Sequence, residues 1–459
     1  ISGSLPVCHM FDGWRTSNQM ATIRTIPYEQ VRPLLDTEAV RRFRQRAMNP
    51  EHPDLRGSAQ NPDVYFQNRE AANRYYDAFP AIVSGYMERL GELTGRRYRL
   101  FDYCGPADAD MAVVVMGSAG EVAEQTAAML EAKGYKAGVV KVRLYRPFCA
   151  QALMEALPNT VRRLTVLDRT KEPGAGGEPL FKDVAAAVLA SGRPVEVYGG
   201  RYGLSSKEFD PAMAKAVFDN MRSGTPKREF TVGIDDDVTH LSLPFGNTAE
   251  CVPEQEGVQA RFYGFGSDGT VGATRQAARV ISDTLGYHVQ AFFEYSAKKS
   301  GGYTISQLRV ARQPVRAEYG IEQADYVACH KDRYVKQYPL ARYLRHGGIF
   351  VLNSAWGTVS LMERHLPARL RRELAAKGAR LYNVDAAAIA AATGLGARVN
   401  MIMEVAFLHL MRDRFDFDKA LAALKQEITA AYRHEGNEMV ERNMRAIEMA
   451  QKAVTAIDY

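Results

Sequence analysis

The chain has 459 residues, which is too long for one ordinary hydrophobic core and predicts about two to four domains. Hydrophobic residues make up 46% of it and charged residues 24%, as in ordinary soluble globular proteins. The formal net charge of +6 is mild for this length, so it suits a small anionic ligand and is too weak to indicate a nucleic-acid-binding protein.

The first segment, residues 1–97, opens with an apolar stretch typical of a strand entered midway, so we expect the fold to start upstream. A polar, Pro-rich stretch over residues 49–67 has too few apolar residues for a core and predicts an extended surface connection. Apolar residues at spacings of three and four then predict a helix over residues 69–94. Pro80 should kink or split that helix, and Gly95 should end it.

Residues 98–247 show strand and helix patterns in alternation. The run 111–116 is continuously apolar, as in a strand buried on both faces of a parallel sheet. The other expected elements are strands at 138–144, 161–167 and 194–198 and helices at 120–133 and 181–189. This order predicts a doubly wound α/β domain.

A linker over residues 226–247, with a strand at 229–234, leads into a third domain over residues 248–459. The elements expected in this domain are strands at 261–265, 288–295, 326–330 and 348–353 and helices at 274–285, 367–377, 397–413 and through 417–457. The predicted fold class is therefore α/β and multidomain, with successive doubly wound, Rossmann-like parallel sheets flanked by helices.

The cysteines argue against disulfides and iron–sulfur clusters in this chain. There are five, odd in number and scattered, with the closest pair 45 residues apart (Cys104 and Cys149). This fits a reducing cytoplasm and excludes the close spacing that cluster ligands use. The nine histidines lack metal-binding spacing, no apolar run could span a membrane, and the opening residues lack the pattern of a secretory signal.

The strongest local signal is the glycine-rich stretch 264–273 (GFGSDGTVGA), between a predicted strand and a predicted helix. Glycines permit close backbone approach, and a helix N-terminus offers unpaired N–H groups and partial positive charge to a diphosphate. Ser267 and Thr270 add hydroxyl groups. The spacing fits neither the dinucleotide fingerprint nor the Walker form, and a tight turn whose Ser or Asp caps the helix is the plainer alternative.

A lysine pair supports the phosphate interpretation. Lys298 and Lys299 stand beside Gly301 and Gly302 at the end of the next predicted strand. Carboxyl ends of parallel strands share one rim of a sheet, where open α/β folds bind ligands, so the pair should face the glycine loop. The alternative is a solvated surface pair.

Two asparagines, Asn400 and Asn443, have plainer explanations from their sequence context. Asn400 falls in the first turns of a predicted helix, where it could cap that helix, and Asn443 could be a solvated helical residue. In the middle domain, cations follow the strands at 141–146 and 167–171, and their mixed charges favour ion pairs. The run 235–237 (DDD) is interpreted as a solvated loop in preference to a cation site.

Several of these stretches, taken together and in order, resemble the pyruvate:ferredoxin (flavodoxin) oxidoreductase family. The runs that carry the resemblance are 11–17 (FDGWRTS), 141–147 (KVRLYRP), 167–174 (LDRTKEPG), 200–207 (GRYGLSSK), 230–233 (FTVG), 236–240 (DDVTH), 266–272 (GSDGTVG) and 298–302 (KKSGG). Beyond the middle of the third domain the similarity is looser.

The resemblance implies three domains and a reaction. Residues 1–97 would be the C-terminal part of a thiamine-diphosphate pyrimidine-binding domain, 98–247 a transketolase-C-like domain, and 248–459 a coenzyme A-binding domain of the 2-oxoacid oxidoreductase gamma type. The complete enzyme would decarboxylate pyruvate on thiamine diphosphate with Mg²⁺ and pass electrons through [4Fe-4S] clusters to ferredoxin or flavodoxin. It would transfer the acetyl group to coenzyme A, and it would form a cytoplasmic homodimer.

The residues carried over from the family form a coenzyme A site. They are Gly266, Ser267, Asp268, Gly269, Thr270, Lys298, Lys299, Asn400 and Asn443. The asparagines are assigned by the resemblance alone, and Asp268 is expected to cap the helix without touching the anion. No residue is expected to act as nucleophile, base or metal ligand.

This chain departs from the complete family pattern, because the cluster cysteines and the pyrophosphate-and-magnesium domain are missing from it. The chain alone is therefore expected to be inactive. Two alternatives stay open: a non-catalytic segment that only holds a dimer together, and an enzyme for another 2-oxoacid.

Overall fold

The computed structural model describes residues 1–13, 15–54, 59–251, 257–266, 268–296, 302–396 and 398–459. The chain forms two compact units. Unit 1 consists of Ile1–Asp12 and Arg24–Cys251, and unit 2 consists of Gly13–Ile23 and Val252–Tyr459.

The strands, in chain order, are β1 (Met20–Ala21), β2 (Phe101–Cys104), β3 (Met111–Val115), β4 (Ala137–Val142), β5 (Arg163–Asp168), β6 (Glu196–Arg201), β7 (Glu229–Thr231), β8 (Val258–Phe265), β9 (His288–Tyr295), β10 (Tyr303–Ala311), β11 (Ala324–Cys329), β12 (Leu344–Asn353), β13 (Arg380–Val384) and β14 (Thr455–Ile457).

The α-helices are α1 (Tyr28–Val31), α2 (Thr37–Gln45), α3 (Pro62–Glu70), α4 (Asn73–Thr94), α5 (Ala119–Glu131), α6 (Ala150–Ala156), α7 (Pro179–Ser191), α8 (Pro211–Arg222), α9 (Thr248–Cys251), α10 (Thr270–Arg279), α11 (Val359–His365), α12 (Ala368–Ala376), α13 (Ala386–Ala392), α14 (Asn400–Leu410), α15 (Phe417–Tyr432) and α16 (Asn437–Lys452). Short 3-10 turns occur at Arg32–Leu34, Leu204–Ser206, Asp332–Lys336 and Arg433–Glu435, and a π-helical turn, Val280–Thr284, extends α10.

Unit 1 contains a sheet in the order β2-β4-β3-β5-β6-β7, parallel except for β2 at one edge. Every residue of β3 is buried, because helices cover both faces of the sheet. Val114, Val140 and Val166 meet in one apolar core with Leu153 and Leu180. This is the doubly wound architecture that the strand and helix patterns predicted.

Unit 2 contains a mixed sheet in the order β1-β9-β10-β8-β11-β12-β13-β14. Strands β8, β11, β12 and β13 are parallel neighbours, and β9, β10 and β14 pair antiparallel. One apolar core contains β8 residues with α14 and α15, and a second contains Tyr263 with α11 and α12. The helices therefore lie on both faces, as an open α/β sheet requires.

The edge strand β1 comes from far upstream in the sequence. Met20 and Ala21 pair antiparallel with Ala291 and Gln290 of β9. Thr22 continues the contact, because its N–H donates to the carbonyl of Val289 at 3.0 Å. Unit 2 thus needs residues 13–23 to complete its sheet.

The α/β fold class is confirmed, and most predicted strands lie within a few residues of the observed ones. One local expectation is wrong. Part of the stretch 49–67 is helical, since α3 starts at Pro62, a residue whose fixed φ suits the first helical position. Of the two effects expected of Pro80, a kink or a split, the split does not occur, since α4 is one helix with Pro80 inside it. Gly95 ends α4 in the left-handed conformation as predicted, with φ +71°.

The division into domains at residues 97 and 247 stays a prediction.

Candidate functional site

The glycine-rich stretch lies where the sheet of unit 2 changes direction. From β8 the chain passes through α10 to β9 and β10 on one side, and it later returns to β11 on the other side. In open α/β sheets the crevice at the carboxyl ends of strands with such a reversal is the usual ligand site. The loop after β8 and the residue after β11 both lie at that crevice.

Asp268 fastens the turn between β8 and α10. Its carboxylate accepts the N–H of Phe265 at 2.6 Å and the N–H of Thr270 at 2.8 Å. The Asp268 N–H in turn donates to the Phe265 carbonyl at 2.9 Å. The carboxylate therefore caps the start of α10 and is used inside the loop, as the sequence predicted for it.

Gly269 precedes α10 in the left-handed conformation, with φ +84°. A Cβ at this position would lie 2.4 Å from Nδ2 of Asn400. Asn400, the first residue of α14, uses that nitrogen to donate to the backbone carbonyl of Asp268. The backbone angle therefore requires glycine here, and the Asn400 side chain would have to move to admit a Cβ.

Thr270, the first residue of α10, connects the loop to two other elements. Its hydroxyl lies 2.9 Å from Nδ1 of His330, the residue after β11, and 3.4 Å from Oδ1 of Asn400. Burial lowers the pKa of His330 to about 4, against the opposite effect of the Asp268 carboxylate. The imidazole is therefore uncharged at neutral pH. His330 was missed in the sequence, although its place at the end of a predicted strand was the signal that could have found it.

The first turn of α10 contains backbone N–H groups that are not hydrogen-bonded to the described residues. The N–H of Thr270 is taken by Asp268. The N–H groups of Val271 and Gly272 lie in the turn that has no intrahelical partners, and no hydrogen bond joins them to the described residues. These two donors and the helix dipole make this end of α10 suited to an anion.

Lys298, Lys299 and Ser267 lie outside the described residues. The flanking strands nevertheless locate the ends of the lysine segment. Tyr295, the last residue of β9, and Phe265, the last of β8, both end beside the start of β10. The N–H of Gly266 donates to the carbonyl of Gly302 at 2.8 Å. Tyr295 and Gly302, which are described and stand before and after the lysines in the sequence, therefore lie at the rim that carries the glycine loop.

Asn443 is not part of this hydrogen-bond network. It lies in α16, is 3% exposed, and donates from Nδ2 to the carbonyl of Met439 in its own helix at 2.8 Å. The expectation of a solvated residue is wrong, since α16 buries this face against α14. The structure thus brings Gly266, Asp268, Gly269, Thr270 and Asn400 together and places Asn443 in the helical layer.

Glu404 is a buried carboxyl group one turn into α14 from Asn400. It is 4% exposed, and neither of its oxygens has a hydrogen-bond partner among the described residues. Burial, together with the Glu427 carboxylate, raises the pKa of Glu404 well above its usual value. The folded protein therefore favours the protonated form of this side chain more than the unfolded chain does.

The corresponding rim of unit 1 is closed by the chain itself. Asp12 lies at the carboxyl ends of β3 and β5, where the unit 1 sheet changes direction. Its carboxylate accepts the N–H of Ser118 at 2.5 Å and pairs with Arg169 at 2.7 Å. Arg169 also donates to the carbonyl of Gly203 at 2.8 Å. A carboxylate of this protein thus occupies the position that an anionic ligand takes in related folds.

Three of the other cations that follow the strands of the middle domain form ion pairs, as their mixed charges predicted: Lys141 with Glu121 and Glu124, Arg143 with Asp102, and Arg146 with Asp183. Lys182 and Glu172 form a further pair in unit 1.

The run 235–237 is also used internally. Asp236 accepts the N–H of Val238 at 3.1 Å and that of Thr239 at 3.0 Å. Hydrogen bonds to the Thr239 hydroxyl and N–H lower the pKa of Asp236. Within the described ranges no three His, Cys, Asp or Glu side chains gather as a metal site would require, and no helix is long and apolar enough to cross a bilayer.

Comparison with known families gives three matches, which follow one another along the chain. Residues 2–88 match the thiamine diphosphate-binding domain of pyruvate flavodoxin/ferredoxin oxidoreductase. Residues 109–209 match core domain II of pyruvate:ferredoxin oxidoreductase, and residues 259–453 match a pyruvate ferredoxin/flavodoxin oxidoreductase domain.

Curated relatives match along the whole chain. The pyruvate:ferredoxin oxidoreductase of Moorella thermoacetica is 48% identical over 459 residues, and the pyruvate-flavodoxin oxidoreductase of Enterobacter agglomerans is 43% identical over 458 residues. The matches cover 100% of this chain and 39% of each relative, so the chain spans about two fifths of their length. A solved pyruvate oxidoreductase subunit from Thermotoga maritima aligns at 20% identity over 44% of this chain and 99% of its own, with a TM-score of 0.35.

Proposed function

The chain belongs to the pyruvate ferredoxin/flavodoxin oxidoreductase family, and from this we infer that its unit 2 holds coenzyme A by the diphosphate. The complete protein would convert pyruvate and coenzyme A into acetyl-CoA and CO₂, with ferredoxin or flavodoxin accepting the electrons. Thiamine diphosphate, when bound elsewhere in that protein, supplies the chemistry that cleaves the bond between the two carbonyl carbons of pyruvate. No step of that chemistry is assigned to a residue of this chain.

The observation that supports the coenzyme A site is the start of α10. Val271 and Gly272 offer two N–H donors that no described residue takes, at the rim where the sheet changes direction. We propose that these donors orient the diphosphate and that Ser267 adds its hydroxyl. Lys298 and Lys299 would neutralise the phosphate charge, which is a sequence-based expectation. The Gly266–Gly302 hydrogen bond supports it, because Gly302 follows shortly after the lysines in the sequence.

The asparagines have different parts in this proposal. Asn400 would act mainly through the loop, since its amide already donates to Asp268 and lies 3.4 Å from the Thr270 hydroxyl. Asn443 would meet the nucleoside end of the ligand only if the buried face of α16 becomes accessible. The pantetheine arm would then extend towards the thiamine site.

Isothermal titration with coenzyme A tests the proposal. We expect Lys298→Ala/Lys299→Ala to weaken binding by at least about tenfold, because each charged hydrogen bond to phosphate contributes about 1.5–3 kcal/mol. Lys419→Ala/Lys452→Ala removes the same charge from exposed sites of unit 2 and should leave affinity unchanged. ADP should compete and pantetheine should not, since only ADP carries the diphosphate.

Absence of binding by the unaltered chain at millimolar coenzyme A would contradict the site. It would favour the alternative of a segment that only supports a dimer, which light scattering would then detect as self-association.

A further inference from the structure

His330 is placed beneath the glycine loop by bonds on both sides of its backbone. Its N–H donates to the carbonyl of Tyr263 in β8 at 2.9 Å, and its carbonyl accepts from Nδ2 of Asn353 at 3.0 Å. The side chain is 5% exposed, with its ring 6.2 Å from the ring of Phe262. The imidazole is therefore fixed between the loop and the core.

The two ring nitrogens are unequal. Nδ1 lies 2.9 Å from the Thr270 hydroxyl, whereas Nε2 has no partner among the described residues and is shielded from solvent. A buried polar atom without a partner destabilises the folded state, and at Nε2 this cost offsets the stabilisation that the contact between Nδ1 and Thr270 provides. The presence of histidine here is not explained by stability.

A short chain of contacts leads from His330 to the donors of α10. Nδ1 contacts the hydroxyl of Thr270, whose backbone directly precedes the N–H groups of Val271 and Gly272. The same hydroxyl lies 3.4 Å from Oδ1 of Asn400, which holds the Asp268 carbonyl from the other side. The Thr270 hydroxyl thus joins the end of β11, α10 and α14 at one atom, and its contact with His330 is shorter than its contact with Asn400.

We propose that His330 is a positioning residue for the diphosphate site: through Nδ1 and the Thr270 hydroxyl it fixes the first turn of α10 in the orientation that binds the ligand. This rests on the proposed coenzyme A function and goes beyond it, because His330 itself does not touch the ligand. An uncharged imidazole suits this role, since it can accept from or donate to a hydroxyl without introducing a charge into the core.

Three substitutions at His330 separate the roles of its atoms. His330→Leu removes both nitrogens and keeps an apolar side chain. His330→Asn keeps a polar atom near the position of Nδ1, and His330→Gln keeps one near the position of Nε2. For each variant the Kd for coenzyme A is measured by titration and the melting temperature is measured without ligand.

We expect His330→Leu to weaken coenzyme A binding about tenfold, equivalent to about 1.4 kcal/mol, with a melting temperature that is unchanged or higher. His330→Asn should restore most of the affinity, and His330→Gln should not. A role in stability alone would lower the melting temperature of the leucine variant and leave its affinity unchanged. Either that result or rescue by Gln in place of Asn would overturn the proposal.

Thr270→Val provides a second test, from the other side of the contact. It should weaken coenzyme A binding to a similar extent, and Thr270→Val/His330→Leu should bind no more weakly than Thr270→Val alone, because the two groups act as one. Additive losses would show that they act separately and would also overturn the proposal. If the unaltered protein fails to bind coenzyme A, the proposed function fails; if it binds equally with and without His330, only this inference fails.

Discussion

Gly269 is the residue of the loop whose backbone permits the least change. Its φ of +84° belongs to the left-handed region, and an added Cβ would lie 2.4 Å from Nδ2 of Asn400. Gly272, three residues later in α10, has neither constraint, since among the described residues no atom outside its own helix backbone lies within 4 Å of its Cβ position. The two glycines therefore form a matched pair, in which only the first is required by geometry.

We predict that Gly269→Ala lowers the free energy of unfolding of unit 2 by at least about 1–2 kcal/mol, the cost of the left-handed conformation, and weakens coenzyme A binding. Gly272→Ala should raise the free energy of unfolding of unit 2 by up to about 1 kcal/mol, because alanine favours the helix. Urea unfolding of both variants measures this difference. Equal effects at the two positions would show that the loop relaxes around the new methyl group.

Glu404 gives the molecule a dependence of stability on pH. Its pKa in the folded state is raised well above the usual value of 4.5, so the folded chain keeps a proton that the unfolded chain releases. The stabilisation that this bound proton provides is fully present below pH 4.5 and is lost as the pH rises towards the pKa of Glu404 in the folded state. Between pH 4.5 and the pKa of the folded state, the titration of Glu404 should lower the free energy of unfolding of unit 2 by about 1.4 kcal/mol per pH unit.

The substitution Glu404→Gln removes that titration. We predict that the variant is more stable than the unaltered protein near neutral pH and that its advantage grows with pH above 4.5. Unfolding free energies measured in urea from pH 5 to pH 7.5 test this, at about half-unit steps. Glu363→Gln, at an exposed position of α11, controls for the loss of one carboxylate. An advantage that does not vary with pH would contradict the assignment.

At the scale of elements, Asp12 occupies a site at the rim of the unit 1 sheet with a side chain of the protein itself. It contacts the residues that follow β3 and β5. Asp12 and Arg169 are only 13% and 25% exposed in their side chains, so water screens the pair weakly. Ser118 adds a backbone donor at the start of α5. Lys182 and Glu172 form a pair in the same unit that is 45% and 47% exposed.

We predict that the pair of substitutions Asp12→Ala and Arg169→Ala shows a coupling energy of about 0.5–3 kcal/mol in a double-mutant cycle. The exposed pair should show about 0–1 kcal/mol. Hydrogen exchange of the peptides that contain β3 and α5 is the measurement. Similar coupling in the two cycles would mean that burial of the Asp12 carboxylate has no energetic effect.

The elements that the sequence predicted well are those whose apolar pattern is uninterrupted. Strand β9 has the predicted ends, and β3 differs by one residue. Strand β10 was missed, because buried polar residues such as Gln307 and Arg309 interrupt its apolar pattern. Their partners come from distant elements: Gln307 accepts the N–H of Ile321, and Arg309 donates to Gln290. A pattern within one segment cannot contain such partners.

The sequence likewise predicted the parts of the candidate site that lie within one segment and missed the contacts between distant segments. Glycine content and position before a helix identified the loop, and chemistry identified Asp268 as its cap. The contacts of Asn400 and His330 with Thr270 span 130 and 60 residues of sequence, so only the folded arrangement reveals them.

At the scale of the whole molecule, each unit has its own sheet and apolar core. We therefore predict two unfolding transitions in calorimetry, assigned to the units by hydrogen exchange. Coenzyme A at about 100 times its Kd should stabilise unit 2 by about 2.7 kcal/mol and leave the transition of unit 1 in place. A ligand response confined to unit 1, or shared equally, would contradict the location of the site.

The pairing of β1 with β9 affects how unit 2 can be produced in isolation. A polypeptide that starts near residue 250 lacks Met20 and Ala21, so β9 becomes a bare outer strand with unpaired N–H and C=O groups. Such edges recruit strands from other molecules and lead to aggregation. During synthesis, more than 260 residues must be added after β1 before its partner Gln290 is made, so β1 is likewise unpaired for that time. Recombinant dissection should therefore fuse residues 13–23 to the later segment through a flexible linker.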